Sequence, residues 1–300
     1  MAELGVQTRA LHPVVTGGGV GDFVTLMKPR VMSLVVFTAL TGLVLAPGGM
    51  HPVLAAIAII CIAVGAGASG ALNMWYDADI DACMQRTANR PIPRGLVSAD
   101  EALTFGVVLA IGAVITLGVL VNWVAAALLT LTIAFYLFVY TMWLKRRTPQ
   151  NIVIGGAAGA VPPLVGWAAV TGGLDLTALY LFAIAFFWTP PHFWALSLLM
   201  KDDYARVGVP MLPVVRGEDE TRRQILLYTV LLFVLSFLPA CAGLCGPVYH
   251  VFAWLLNLVF IGLAVVLYRR ADRRWALRTY LFSLAYLAAL FAVMVVDVKV

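Results

Sequence analysis

Charge is what this sequence of 300 residues has least of: Asp, Glu, Lys and Arg make up 12% of it, against about 25% in ordinary soluble domains. That scarcity excludes a soluble globular fold. The first 22 residues hold no apolar core of the kind a cleavable export signal needs. The glycine run Thr16–Asp22 lacks the Gly-Lys-Ser/Thr of a phosphate loop, so the stretch reads as a flexible tail. The four cysteines, Cys61, Cys83, Cys241 and Cys245, have no zinc-like spacing with histidines. Cys241 and Cys245, one helical turn apart, read as small packing residues, as does Cys83.

What is abundant is apolar. Hydrophobic residues form 62% of the chain, and the mean hydropathy is +0.96, the signature of a polytopic membrane protein. Nine apolar segments run over about 31–46, 53–75, 102–121, 123–143, 152–171, 177–199, 225–245, 250–268 and 277–296. The first is short but extends back through Met27. With the N-terminus on the cytoplasmic side, every Lys and Arg except Lys299 falls at that face. The positive-inside rule therefore supports both the nine spans and the orientation, with the C-terminus external. The net charge of +5 is an orientation signal in this placement, and no nucleic-acid partner is expected.

External loops are short, and nearly all charge lies in the longer cytoplasmic ones, so function is expected there. Asn73, Asp77 and Asp81 recur every four residues at the end of the second span. On a helix they drift by only about 40° per step and share a face. Ionisable groups at the end of a membrane helix are costly and usually mark a site. Carboxylates on one face suit a hard divalent cation, and oxygen-bound Mg²⁺ commonly bridges to substrate phosphates. Arg86, Arg90 and Arg94 follow directly, so acids and cations in one loop read as a metal–diphosphate clamp. The fourth span ends in the cationic run Lys145-Arg146-Arg147. A second acidic pair, Asp202 and Asp203, ends the sixth. The two acidic loops, followed by Pro91–Gly95 and Pro210–Gly217, lie four spans apart and suggest a weak internal repeat with facing loops.

Small residues mark close helix contacts: Gly65, Gly67, Ser69 and Gly70 in span two, and Gly155, Gly156 and Gly159 in span five. Pro162-Pro163 and Pro190-Pro191 are expected to kink spans five and six. Within span six, Trp188-Thr-Pro-Pro-His192-Phe-Trp194 sets a lone histidine among aromatics. Such a histidine either ligates haem iron, orients a substrate group, or satisfies a carbonyl freed by the prolines.

At these motifs the chain resembles the UbiA superfamily of intramembrane prenyltransferases, whose signature is Asn-x3-Asp-x3-Asp after the second span and a second Asp-rich motif after the sixth. The supporting segments are Met27–Val31, Asp81–Arg94, Lys145–Asn151, Trp188–Trp194, Asp202–Tyr204 and Gly208–Val215. Within the superfamily it is similar to a haem-farnesylating branch, in which Asp-Asp-Tyr replaces the usual second Asp-x3-Asp; the position four after Asp202 is Arg206.

The resemblance implies an all-α fold: a nine-helix transmembrane bundle over residues 23–300, after the tail 1–22, with a cytoplasm-facing active site in the inner membrane. It implies transfer of a farnesyl group from farnesyl diphosphate to haem b, releasing diphosphate. Asn73, Asp77, Asp81, Asp202 and Asp203 would hold Mg²⁺, the four aspartates being catalytic. Arg86, Arg90, Lys145, Arg146 and Asn151 would bind the diphosphate, and His192, Trp188 and Trp194 the haem. A haem A synthase or a terminal-oxidase assembly are the protein partners it implies, beside the lipid bilayer. The rival acceptor is a quinone precursor or a chlorophyll-type molecule. A transporter would place ionisable groups nearer the midplane, and a purely structural subunit would not need two acidic clusters.

Overall fold

The computed structural model describes residues 17–299; residues 1–16, Arg9 among them, and Val300 lie outside that range. Every regular element in the described residues is helical. A short α1 (Val20–Leu26) leads into α2 (Pro29–Leu45). Next come α3 (Pro52–Tyr76), the short α4 (Ala78–Cys83), α5 (Ala99–Leu120) and α6 (Trp123–Ala134), which runs on as a π-helix over Phe135–Leu144. α7 (Asn151–Ala160) and α8 (Pro162–Thr171) together make one span, and α9 (Leu176–Leu199) the next. Short α10 (Lys201–Arg206) and α11 (Leu212–Val215) lead into α12 (Gly217–Ser236) and α13 (Leu238–Cys241). α14 (Pro247–Arg270) and α15 (Arg273–Lys299) close the bundle. Eight segments are long and apolar enough to cross a membrane, and α1 with α2, bent by 55°, make a ninth. The expected nine spans are matched.

Local chemistry sets the breaks. Lys28, just before Pro29, adopts a left-handed conformation with φ 55°, outside the α region that a following proline disfavours. Helix α1 begins at Val20, inside the stretch read from sequence as a flexible tail, and Asp22 closes its first turn by accepting from Gly19 N at 3.0 Å. Pro162-Pro163 break the fifth span at Val161, as expected. Pro190-Pro191 do not break α9. The carbonyls their missing N–H groups leave free are those of Phe186 and Phe187, four residues back, both half-buried. The seventh span starts at Gly217, eight residues earlier than its apolar run. Arg222 pairs there with Glu218 and Asp219, and Arg223 with Glu220, while the three acids favour the helix N-terminus.

Between membrane helices the hydrophobic effect gives little, so backbone proximity does the packing. A Cβ on Gly42 would lie 2.0 Å from Pro163 O, and one on Gly166 2.0 Å from Ala39 O; α2 and α8 thus touch backbone to backbone. Gly67 and Gly70 admit the Leu26–Met27 end of α1 onto α3, and Gly155 and Gly156 receive Tyr140 and Thr189. Gly159, expected at a contact, faces open space. Gly166→Val is expected to lower stability in detergent by about 1–3 kcal/mol, whereas Gly112→Ala, inside α5 with nothing within 4 Å, is expected to raise it by up to about 1 kcal/mol. Thermal unfolding of the two purified variants measures the difference.

Candidate active site

The α3–α4 junction builds the centre of the site. Helix α3 ends at Tyr76 and Asp77 departs from helical geometry. The register nevertheless survives: Asp77 N donates to Asn73 O at 2.9 Å and Asp81 N to Asp77 O at 2.8 Å. Asn73, Asp77 and Asp81 therefore stay on one face, as their spacing predicts, and all three are buried, Asp77 completely.

Each of them is held by partners from distant segments. Asn73 is fully satisfied: its Nδ2 donates to Asp77 Oδ2 at 2.7 Å and to Thr141 Oγ1 at 3.1 Å, and its Oδ1 accepts from Lys28 Nζ at 2.5 Å. Asp77 Oδ2 also accepts from Lys145 Nζ. Its Oδ1 has no hydrogen bond and lies 3.5 Å from an Arg146 nitrogen. Arg146 forks onto Asp79 with bonds of 2.7 and 2.8 Å and lies 4.9 Å over the Tyr76 ring. Burial pushes the Asp79 carboxyl up, but the Arg146 fork and its charge outweigh this and hold it below the usual range. Asp81 Oδ2 accepts from Arg90 at 2.5 Å.

The second acidic loop meets the first, as the internal resemblance suggested. Asp203 Oδ1 accepts from Gln85 N at 3.4 Å and from Arg206 at 2.9 Å, and Arg86 donates to Tyr204 Oη at 3.1 Å. Of the two aspartates, Asp203 is buried at this junction. Asp202 is exposed and lines a separate cleft with Lys201, Glu218 and Arg222. Asn151 is buried beside the cationic run; its Nδ2 is turned to Thr148 O at 2.7 Å, and its Oδ1 has no partner.

The structure brings together Asn73, Asp77, Asp81, Asp203, Arg86, Arg90, Lys145 and Arg146, and leaves Asp202 outside. In this conformation the carboxylates are paired with cations, and among the described residues no three acidic, histidine or cysteine side chains converge as a metal cage. The donors are nonetheless all oxygens, and the unbonded, buried Asp77 Oδ1 is an open ligand atom, so the set fits a hard divalent cation.

Two members of the site carried no role in the sequence reading. Lys28 looked like an orientation charge; the break before Pro29 turns it inward, and its position ahead of a proline was the available signal. Thr141 gave none, since it reaches Asn73 only through the π-helix, marked by Lys145 N bonding Tyr140 O at 2.9 Å. Such segments occur frequently at functional sites.

Deeper along α9, His192 stacks between Trp188 (4.3 Å) and Tyr280 (4.9 Å). Ser283 Oγ donates to Tyr280 O at 2.6 Å, so it accepts from His192 Nδ1–H at 2.7 Å. That fixes the tautomer and leaves the lone pair on Nε2. Trp188 Nε1 donates to Ser283 O at 2.7 Å, and the buried Trp194 packs edge-on against Tyr228.

The family model of the UbiA prenyltransferase family matches residues 35–291. A protoheme IX farnesyltransferase of Rhodopseudomonas palustris (strain BisB5) is 60% identical over 290 residues, covering 95% of this chain and 93% of its own length. One of Parvibaculum lavamentivorans (strain DS-1) is 60% identical over 287 residues, 93% of this chain and 90% of its own. Among solved structures, one described as digeranylgeranylglyceryl phosphate synthase superposes with a TM-score of 0.77 at 18% identity, covering 93% of this chain and 99% of that one. A UbiA homolog from Archaeoglobus fulgidus bound to DMAPP and Mg²⁺ gives 0.65 at 14% identity over 91% of this chain and 99% of its own. At these identities the structures share the fold.

Replacing Lys145 by Met leaves the Asp77 carboxylate with the Asn73 amide and, as its remaining ion-pair partner, Arg146 at 3.5 Å. The variant is expected to lose about 3–5 kcal/mol of stability, as breaking a buried pair does, and the double variant Lys145→Met/Asp77→Asn to regain most of it. Equilibrium unfolding in mixed micelles reads both.

Proposed function

The chain belongs to the UbiA prenyltransferase family, and we propose from this that it transfers the farnesyl group of farnesyl diphosphate to a vinyl group of protoheme IX (haem b), with addition of water, giving haem O and diphosphate. The observation that carries this reading is about 60% identity, over nearly the whole length of both chains, to proteins named for that transfer. The quinone-type acceptor has no comparable support.

The residues fit the chemistry. Farnesyl diphosphate is multiply anionic, and breaking its allylic C–O bond leaves a carbocation and diphosphate. Arg86, Arg90, Lys145 and Arg146 neutralise the leaving group's oxygens, the arginines in bidentate fashion, with Asn151 beside them. Asn73, Asp77, Asp81 and Asp203 would hold Mg²⁺, which would supply further positive charge toward the leaving group. In this role Asp77, Asp81 and Asp203 are the catalytic acids, and Asp202 is not. The haem vinyl group attacks the farnesyl carbon, and water captures the new cation and releases a proton. The farnesyl tail dissolves in the bilayer, and the apolar walls of the bundle keep water from the first cation. The Nε2 lone pair of His192, between Trp188 and Tyr280, faces the haem in this reading. The helices from residue 23 onward serve as a single catalytic domain.

Diphosphate release from membranes supplied with haem b and farnesyl diphosphate tests the assignment. Asp77→Ala and Asp81→Ala are expected to lose at least about 100-fold in turnover while remaining folded, as does wild type under reversible chelation of Mg²⁺. Asp203→Asn is expected to follow them and Asp202→Asn to stay near wild type. Equal losses at 202 and 203 would refute the division between them.

His192→Ala is expected to remove the Soret band of haem added to purified protein while farnesyl diphosphate still binds. Loss of both substrates together would mean that the α9 core has collapsed instead.

The protein spans the membrane many times; we place its N-terminus and the acid–base site at the cytoplasmic face and its C-terminus outside. In a background without native cysteines, cysteines introduced at Gly48, Gly172 and Gly246 are expected to react with an impermeant reagent on intact cells, and one at Ala88 to resist it.

A further inference from the structure

On the side of α10 away from Asp203, a second cleft of about 260 Å³ opens between α9, α10, α12, α14 and α15. Leu198 and Leu267 give it an apolar floor. Several rim charges satisfy one another: Glu218 accepts from Lys201 at 3.0 Å and from Arg222 at 3.3 Å. Two do not. Asp202 and Arg273 line the same cleft, and neither makes a hydrogen bond or ion pair through its side chain to any described residue.

Asp272 also lines the cleft, its side chain accepting from Arg274 N at 3.0 Å, and further cations flank the mouth beside Arg273. Helices α14 and α15 are joined by only Ala271 and Asp272, with Ala271 forced to φ 51°. This turn crowds Arg269, Arg270, Arg273 and Arg274 together, all exposed and none ion-paired within the described residues. As orientation signals alone, these arginines need neither a cleft nor an unpaired acid inside it. From the rim, Leu277 and Leu281, 46% and 53% exposed, continue one turn apart along α15 into the apolar part of the bundle. The cleft thus offers cations for a phosphate, a free carboxylate to accept hydroxyl donors, and an apolar track leading away. Basic pockets between membrane helices at the headgroup level are suited to anionic lipid.

We propose that this cleft binds the headgroup of an anionic, hydroxyl-bearing phospholipid of the phosphatidylglycerol class. Its phosphate meets Arg273 and the neighbouring arginines, its glycerol hydroxyls donate to Asp202, and its acyl chains follow Leu277 and Leu281. Phosphatidylcholine and phosphatidylethanolamine carry no net negative charge for the arginines, and a choline headgroup has no donor for Asp202.

The test is native mass spectrometry of the delipidated full-length protein in detergent, titrated separately with phosphatidylglycerol, phosphatidylethanolamine, phosphatidylcholine and free glycerol 3-phosphate. One phosphatidylglycerol is expected to be retained under collisional activation that strips phosphatidylcholine. Arg273→Glu is expected to weaken that retention by about five-fold or more, and Arg273→Gln to weaken it less, with unchanged circular dichroism. Retention that ignores headgroup, or a preference for phosphatidylethanolamine, overturns the proposal. So does undiminished binding in both Arg273 variants. Glycerol 3-phosphate binding as well as the lipid would assign the cleft to a soluble phosphate and likewise overturn it.

Discussion

A carboxylate with no exposed surface, Asp77, is the constraint around which this end of the bundle is organised. In surroundings of low dielectric an uncompensated charge costs several kcal/mol, so the fold must bring cations to it from elsewhere in the chain. Lys145 and Arg146 arrive from the end of the π-helix. Lys28 enters from the break between α1 and α2 and holds the amide oxygen of Asn73, whose nitrogen serves Asp77. Three segments far apart in sequence are tied at one point. The bonds are strong because the surroundings are dry, and a dianionic or trianionic ligand must compete with them to enter.

Glycine-lined contacts make that convergence possible. The backbone approach of α1 to α3 at Gly67 and Gly70 carries Lys28 within reach of Asn73, and the seating of Tyr140 on Gly155 fixes the π-helix that carries Thr141 and Lys145. Packing and electrostatics are thus one arrangement: small residues bring the backbones close, and their closeness brings charges together that the sequence keeps far apart.

The spans, the acidic face and the loop cations were legible in sequence because each rests on local rules: hydropathy over about 20 residues, the four-residue helical register, and charge asymmetry between loops. The meeting of the two acidic loops was visible only as a loose likeness between Pro91–Gly95 and Pro210–Gly217. What escaped was decided by long-range geometry. Asp202 and Asp203 are neighbours of identical chemistry, and only the packing of α10 sends one inward and the other to a different cleft. Two proline pairs of identical composition behave differently, one breaking its span at Val161 and the other continuing within α9. Lys28 and Thr141 join the site through a left-handed residue and a π-helix, and neither conformation has a compositional signature of its own.

The π-helix over Phe135–Leu144 makes the chain unusually sensitive to length there. Its wider turns hold more residues than α-helical turns would over the same arc. Loss of a single residue from this stretch would spare the apolar character of the span, leaving it long enough to cross the bilayer. It would also remove the i→i+5 register that ends at Lys145 N–Tyr140 O and shift Lys145 relative to Asp77. Within these ten residues, the reading frame of the helix matters more to the site than the identity of most side chains in it, so substitutions should be tolerated where insertions and deletions are not.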